Sequence, residues 1–114
     1  MATSYKRMFQ VWAYTVSHGQ LLLRSTKTDK IPTRVDILFK DMVALKLPSA
    51  FEELEIIEST AEHVGLHQDA IKGRTVWSLR GPGFDGFVVA GAMAVHEDDG
   101  EYDAPSRIPG LAGR

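Results

Sequence analysis

One stretch of the sequence, 34–47, alternates apolar and polar residues, and this alternation restricts the possible folds more than any other feature of the chain. Its apolar residues of one parity are Val35, Ile37, Phe39, Val43, Leu45 and Leu47. A period of two predicts a β-strand with one buried face. A straight strand of this length would span roughly 46 Å, too long for a small domain. The chain is therefore expected to bend near Asp41, either at a β-bulge or at a hairpin loop that pairs Asp36 with Lys46.

Residues 9–16 and 20–26 predict a β-hairpin. Both segments are rich in aliphatic and aromatic residues, and His18-Gly19 lies between them. A two-residue hairpin loop needs positive φ at both positions, which glycine adopts freely and histidine adopts more often than most residues. This loop predicts that Tyr14 lies opposite Leu23. One face of the hairpin would then carry Trp12, Tyr14, Val16, Leu21 and Leu23.

Three further strands are predicted at 54–59, 75–80 and 87–96. The last is apolar on both faces, which is typical of a central strand that is covered on both sides. One of its faces consists of small residues, so we expect a second sheet, the segment 60–73 or a second subunit to pack closely on it. The segment 60–73 itself is expected to be a loop with about one or two helical turns.

These elements predict an all-β domain of about six to seven antiparallel strands, as a sandwich or a flattened half-barrel with at most one short helix. An α+β fold with a helix near 60–72 is the alternative. The 114 residues suit a single domain. We place this β domain at 1–97 and a polar C-terminal tail containing proline and glycine at 98–114.

The composition excludes several classes of function. The chain has no cysteine, which removes disulfide frameworks, cysteine-based zinc sites and thiol chemistry. Five acidic residues lie in 52–62 and five more in 97–103. These acidic blocks argue against nucleic-acid binding, which needs a basic face. The longest apolar stretch, 87–95, is too short to cross a bilayer, and no signal peptide is evident. We therefore expect a cytoplasmic protein without a membrane or nucleic-acid partner.

His63 and His67 are the candidate metal ligands. Residues four apart lie on one face of a helix, which is how paired histidines bind zinc. However, Val64 occupies the position of the glutamate base in the zinc-protease motif, and Gly65 disfavours the helix. We expect a pair of surface histidines, with no bound metal and no other cofactor.

Two other groups of residues are candidate sites. Trp12, Tyr14 and Trp77 could line a ligand pocket, although core packing is the more common role of aromatic residues in a small β domain. Arg24 with Arg34 and Asp36 could form a polar cluster on the outer face of the first sheet. An exposed cross-strand ion pair would explain that cluster without a ligand.

The sequence contains no motif that assigns a reaction or a family, so an enzyme is less expected than a binding protein. We favour a non-enzymatic protein-interaction module of unknown partner, which binds another protein or a second copy of itself as a homodimer. The contact would be a sheet face, a sheet edge or the acidic segment with Glu52, Glu53 and Glu55. The alternatives are a metal-assisted hydrolase that uses the two histidines, and a small-molecule binder with an aromatic-lined cavity.

Overall fold

The computed structural model describes residues 2–109, which fold into two five-stranded antiparallel sheets that do not close into a barrel. The strands in chain order are β1 (Ala2–Tyr5), β2 (Phe9–Thr15), β3 (Gln20–Ser25), β4 (Arg34–Lys40), β5 (Ala44–Lys46), β6 (Ala50–Phe51), β7 (Leu54–Ser59), β8 (Thr75–Gly81), β9 (Phe84–Ala90) and β10 (Ala92–Asp98). Sheet A has the order β1-β7-β8-β9-β5, and sheet B has the order β10-β4-β3-β2-β6. The predicted all-β class is confirmed.

The ten strands exceed the predicted value of about six to seven, because two long segments each pass from one sheet to the other and because the short strands β1 and β6 were not predicted. The first segment bends where expected. Asp41 adopts a positive φ of 56°, and the chain leaves β4 in sheet B to continue as β5 in sheet A. The hairpin alternative is wrong, since Asp36 lies opposite Arg24 and Lys46 lies opposite Phe87.

The second crossing is at Gly91, beside the first. The Gly91 amide donates hydrogen bonds to the carbonyls of Lys40 and Asp41, at 2.9 and 3.1 Å. The Asp41 side chain packs closely on this corner, since a Cβ atom at Gly91 would lie 2.9 Å from its carboxylate. The predicted central strand over 87–96 is therefore wrong. Its first half, β9, lies inside sheet A, and its second half, β10, is an edge of sheet B.

The β2–β3 hairpin forms with a different register from the predicted one. A 3₁₀ turn at Val16–His18 lengthens the loop, so only Gly19 needs positive φ, at 59°. Tyr14 consequently lies opposite Leu21. The register also shifts at Trp12, where a β-bulge adds a residue to β2.

Three apolar clusters stabilise this architecture. The main core lies between the sheets and includes Phe9, Leu21, Leu23, Val35, Ile37, Phe39, Leu54, Ile56, Leu79 and Val88. On the outer face of sheet A, Ala61 and Ile71 from the segment 60–73 pack against Val76 and Val89. On the outer face of sheet B, Ile108 packs against Leu22 and Leu38.

The segment 60–73 consists of turns and a 3₁₀ helix at Gln68–Ile71, so the alternative fold with an α-helix near 60–72 is wrong. Gly65 and Gly73 have positive φ, which interrupts helical geometry. No helix within the described residues has the length and apolar character needed to cross a membrane.

β10 continues to Asp98, one residue beyond the domain boundary proposed from the sequence. Residues 99–109 then cross the outer face of sheet B without forming a strand. We call these residues the C-terminal segment. The division of the chain at residue 97 stays a prediction, and residues 110–114 of the proposed tail lie outside the described part.

Candidate interaction surfaces

Two buried ion pairs lie on the outer face of sheet B. Arg24 and Asp36 are opposite each other on β3 and β4, and their two hydrogen bonds are 2.7 and 3.1 Å long. Their side chains are only 2% and 1% exposed. Arg34 pairs with Asp98 of β10 in the same two-pronged way, at 3.1 Å for both bonds. The polar cluster is therefore present as predicted, but its predicted exposure is wrong because the C-terminal segment covers it.

The C-terminal segment is bound to sheet B mainly through hydrogen bonds that its backbone carbonyls accept. Four cationic side chains of sheet B and its β3–β4 loop donate six hydrogen bonds of 2.7–3.3 Å to these carbonyls. The donors are Arg24, Lys27, Arg34 and Lys40, and the acceptors are the carbonyls of Asp99, Glu101, Tyr102, Ala104, Pro105 and Pro109. The face of sheet B is thus an internal binding surface for an irregular piece of chain.

Aromatic packing extends this surface. The Arg24 guanidinium lies 4.9 Å from the centre of the Trp12 ring, within the range of a cation–π interaction. Trp12 also meets Tyr102 of the C-terminal segment edge to face, with ring centres 6.4 Å apart. Gly100 fits directly against Arg34, because an added Cβ would lie 2.6 Å from its Nη2 atom.

Burial, hydrogen bonds and nearby charges on this surface all shift the pKa of the Asp98 carboxyl. Burial by itself raises the pKa of the carboxyl. Hydrogen bonds from Arg34 and the Gly100 amide, with the charges of Arg34 and Arg107, more than offset burial, so the pKa lies below its ordinary value of 3.8. The carboxylate is therefore stabilised in the folded state relative to the unfolded one.

Replacing Asp98 with asparagine is expected to reduce stability most near neutral pH and progressively less in acid. Because its folded-state pKa is lowered, Asp98 stabilises the fold fully above its ordinary pKa of 3.8, and this contribution is lost as pH falls through the folded-state pKa. Urea unfolding of both proteins, from about pH 7 to about pH 2, measures the difference. Asp99→Asn at an exposed neighbour is the control. A difference that does not change with pH would contradict this account.

β10 provides the longest sheet edge in the described part of the chain. The other end strands, β1, β5 and β6, have four, three and two residues, whereas β10 has seven. Proteins commonly protect such edges with short strands, lysine or proline. β10 has none of these protections, its first four residues are uncharged, and Val95 is 44% exposed. Its outer backbone groups are therefore available to another strand.

The two candidate metal ligands do not share a helical face. His63 lies among exposed turns, and the Nδ1 atom of His67 accepts a hydrogen bond from the Asp69 amide at 3.2 Å. No group of three potential ligands (His, Cys, Asp or Glu) converges anywhere in residues 2–109. The helical arrangement on which the metal hypothesis depended does not form.

The acidic candidates lie around the start of β7. Glu52 and Glu53 are exposed, and Glu55 is 3.3 Å from Arg80 in an ion pair at the surface. Glu53 and Glu55 also line an open groove of about 490 Å³, together with Tyr5 and Arg80. Their role in an interaction stays a prediction.

The three aromatic candidates are not brought together. Trp12 lies on the outer face of sheet B, and Tyr14 is half-exposed on β2. Trp77 belongs to sheet A and packs against Phe39 in the core, with ring centres 5.5 Å apart. They do not line a common cavity.

The outer face of sheet A contains a polar pocket of about 230 Å³ that was not predicted from the sequence. It is lined by Lys46, His63, Val64, Ser78, Asp85, Gly86 and Phe87. The residues come from β5, β8, β9 and the segment 60–73, so no local motif could have revealed it. The sequence contained one indication of the pocket. Residues two apart on β8 share a face, so Ser78 lies on the same face as Val76.

No protein-family model, curated protein or solved structure matches this chain. The surfaces of the structure are therefore the basis for a functional proposal. Of these, the β10 edge is the one that is open along a full strand.

Proposed function

We propose that this protein is a non-enzymatic interaction module that binds an extended segment of a partner protein along the open edge of β10. The observation that carries the proposal is the seven-residue length of this edge strand at the end of sheet B. An edge strand presents alternating N–H and C=O groups, and an extended peptide can pair with them as an added strand.

The side chains of β10 suggest the chemistry of that partner. Ala92 and Ala94 are small and permit a close approach, while Val95 offers an exposed apolar contact. At the other end, Glu97 and Asp99 are exposed acids. A partner segment with an apolar residue beside Val95 and a basic residue beside Glu97 fits this edge.

The structural role of the buried arginines is also consistent with a binding function. Arg24 and Arg34, the two most deeply buried cations described, each have a carboxylate partner and hold backbone carbonyls. This use is structural. In the polar pocket of sheet A, the Ser78 hydroxyl makes no hydrogen bond to His63 or to any other of the described residues 2–109. A serine nucleophile needs such a bond to an adjacent base.

Photo-cross-linking tests the proposal. A photo-reactive amino acid placed at Val95 is expected to give a discrete protein adduct in native lysate, and one at Val16 is not. Val16 is the matched control because it is 74% exposed but lies outside the sheet edges. Glu97→Lys is expected to weaken formation of the Val95 adduct about tenfold if a basic residue lies beside it. Equal adducts from both positions, or none from Val95, would contradict the proposal.

The same experiment shows whether the partner is a different protein or a second copy of this chain. It also tests whether the acidic surface, rather than the β10 edge, is the binding site. An adduct of two identical chains would indicate a homodimer, in which two β10 strands pair antiparallel about a two-fold axis. Charge reversal at Glu52, Glu53 and Glu55 is expected to leave the Val95 adduct unchanged. If charge reversal abolished the adduct, the acidic surface rather than the β10 edge would be the binding site.

A further inference from the structure

The polar pocket on the outer face of sheet A contains a buried hydroxyl group that is free to bind a ligand. Ser78 is only 4% exposed and lies opposite Phe87, on the face that the segment 60–73 covers. Its hydroxyl has no hydrogen-bond partner within residues 2–109, yet no fully buried side-chain nitrogen or oxygen in this part of the chain is unpaired. The hydroxyl must therefore reach solvent, and the pocket that Ser78 lines provides the opening.

Two opposite charges line the same pocket without neutralising each other. Lys46 of β5 and Asp85 of β9 both border it. Neither side chain takes part in any of the ion pairs of the described residues, all of which have nitrogen and oxygen within 4.0 Å. A cation and an anion that remain separate at one small cavity are suited to a ligand that carries both charges.

We propose that this pocket binds a small zwitterion of the α-amino-acid type. The Lys46 ammonium would contact the ligand carboxylate, and the Asp85 carboxylate would contact the ligand ammonium. The Ser78 hydroxyl would add a hydrogen bond at the floor, while Val64 and Phe87 would pack against the ligand side chain. The volume of about 230 Å³ is below the roughly 300–1,000 Å³ of pockets for drug-sized molecules, which favours a ligand of amino-acid size.

This site is independent of the proposed binding edge. β10 belongs to sheet B, whereas the pocket lies on the outer face of sheet A. Its chemistry is binding and not catalysis, since the Ser78 hydroxyl lacks the hydrogen bond to a base that would activate it. A failure of either proposal therefore leaves the other unaffected.

Titration of the protein with L-alanine, followed by amide NMR spectra, tests the pocket. We expect saturable shifts at Ser78, Asp85 and Phe87. Acetate and ethylammonium, which each carry one of the two charges, are expected to bind at least about tenfold more weakly because one charged contact is lost. If L-alanine gives no saturable shift at these residues, or if acetate binds as tightly, the proposal is wrong.

Variants assign the charged contacts. Lys46→Met and Asp85→Asn are each expected to weaken L-alanine binding about tenfold. Both residues are exposed, so both variants should fold. Lys72→Met and Asp69→Asn, at exposed positions outside the pocket, are the matched controls and should leave the affinity unchanged. Equal effects of pocket and control variants would overturn the assignment.

Discussion

Replacing Arg34 with methionine is expected to lower the free energy of unfolding by about 3–5 kcal/mol, the usual loss when one partner of a buried ion pair is removed. The substitution removes the one buried cation that is hydrogen-bonded to Asp98, whose side chain is only 5% exposed. It also removes the donor for the carbonyls of Glu101, Ala104 and Pro105. Urea unfolding near neutral pH measures the change.

Arg107→Met is the matched control for this prediction. Arg107 also approaches Asp98, at 3.9 Å, but its side chain is 59% exposed. An exposed ion pair contributes about 0–1 kcal/mol, so the control should change stability little. A second variant, Arg34→Met with Asp98→Leu, is expected to recover part of the loss because no uncompensated buried charge is left. Equal losses for Arg34→Met and Arg107→Met would contradict the structural role given to Arg34.

The second large effect is expected at Gly86, where alanine should cost at least about 3 kcal/mol, the upper end of typical overpacking penalties. An added Cβ would clash with the Lys46 carbonyl oxygen and lie 3.2 Å from the Leu47 side chain. A backbone oxygen cannot rotate away, so β5 would have to move from β9. Asp85→Ala, at the exposed neighbouring position, is the control. If both variants unfold at the same urea concentration, β5 does not pack as described.

The alternation of apolar and polar residues predicted well which side chains are buried where a strand stays in one sheet. Val35, Ile37 and Phe39 all lie in the main core, as their alternation indicated. Alternation could not reveal the crossing at Asp41, because the chain keeps its apolar side toward the interior on both sides of that corner. Leu45 keeps the inward parity but is partly exposed, since β5 is an edge strand of sheet A.

The surface on sheet B was predictable only in part. The pairing of Arg24 with Asp36 follows from strand pairing, which sequence patterns can suggest. The burial of that pair depends on the C-terminal segment, which is recognised through its carbonyls. Because every residue has a carbonyl, such binding leaves no pattern of side chains in the sequence. The apolar signals in that segment are Ile108, which packs against Leu38, and Tyr102, which packs against Trp12.

The polar pocket could not be predicted from spacing. Lys46, His63, Ser78 and Asp85 belong to four separate segments, which meet only when β5, β8 and β9 pair and the segment 60–73 folds over them. The β10 edge was missed for a related reason. The stretch 87–96 is apolar on both faces throughout, and the break at Gly91 is what leaves its second half at an edge.

Amide hydrogen exchange of β10 is the most direct test of the binding edge. It would be measured with and without the partner that cross-linking at Val95 identifies. Strand addition protects the outward-facing amides, so we expect partner-dependent slowing at alternate residues of Ala92–Asp98, while the inward amides already paired with β4 change little. No slowing along β10, or slowing confined to other strands, would contradict the account.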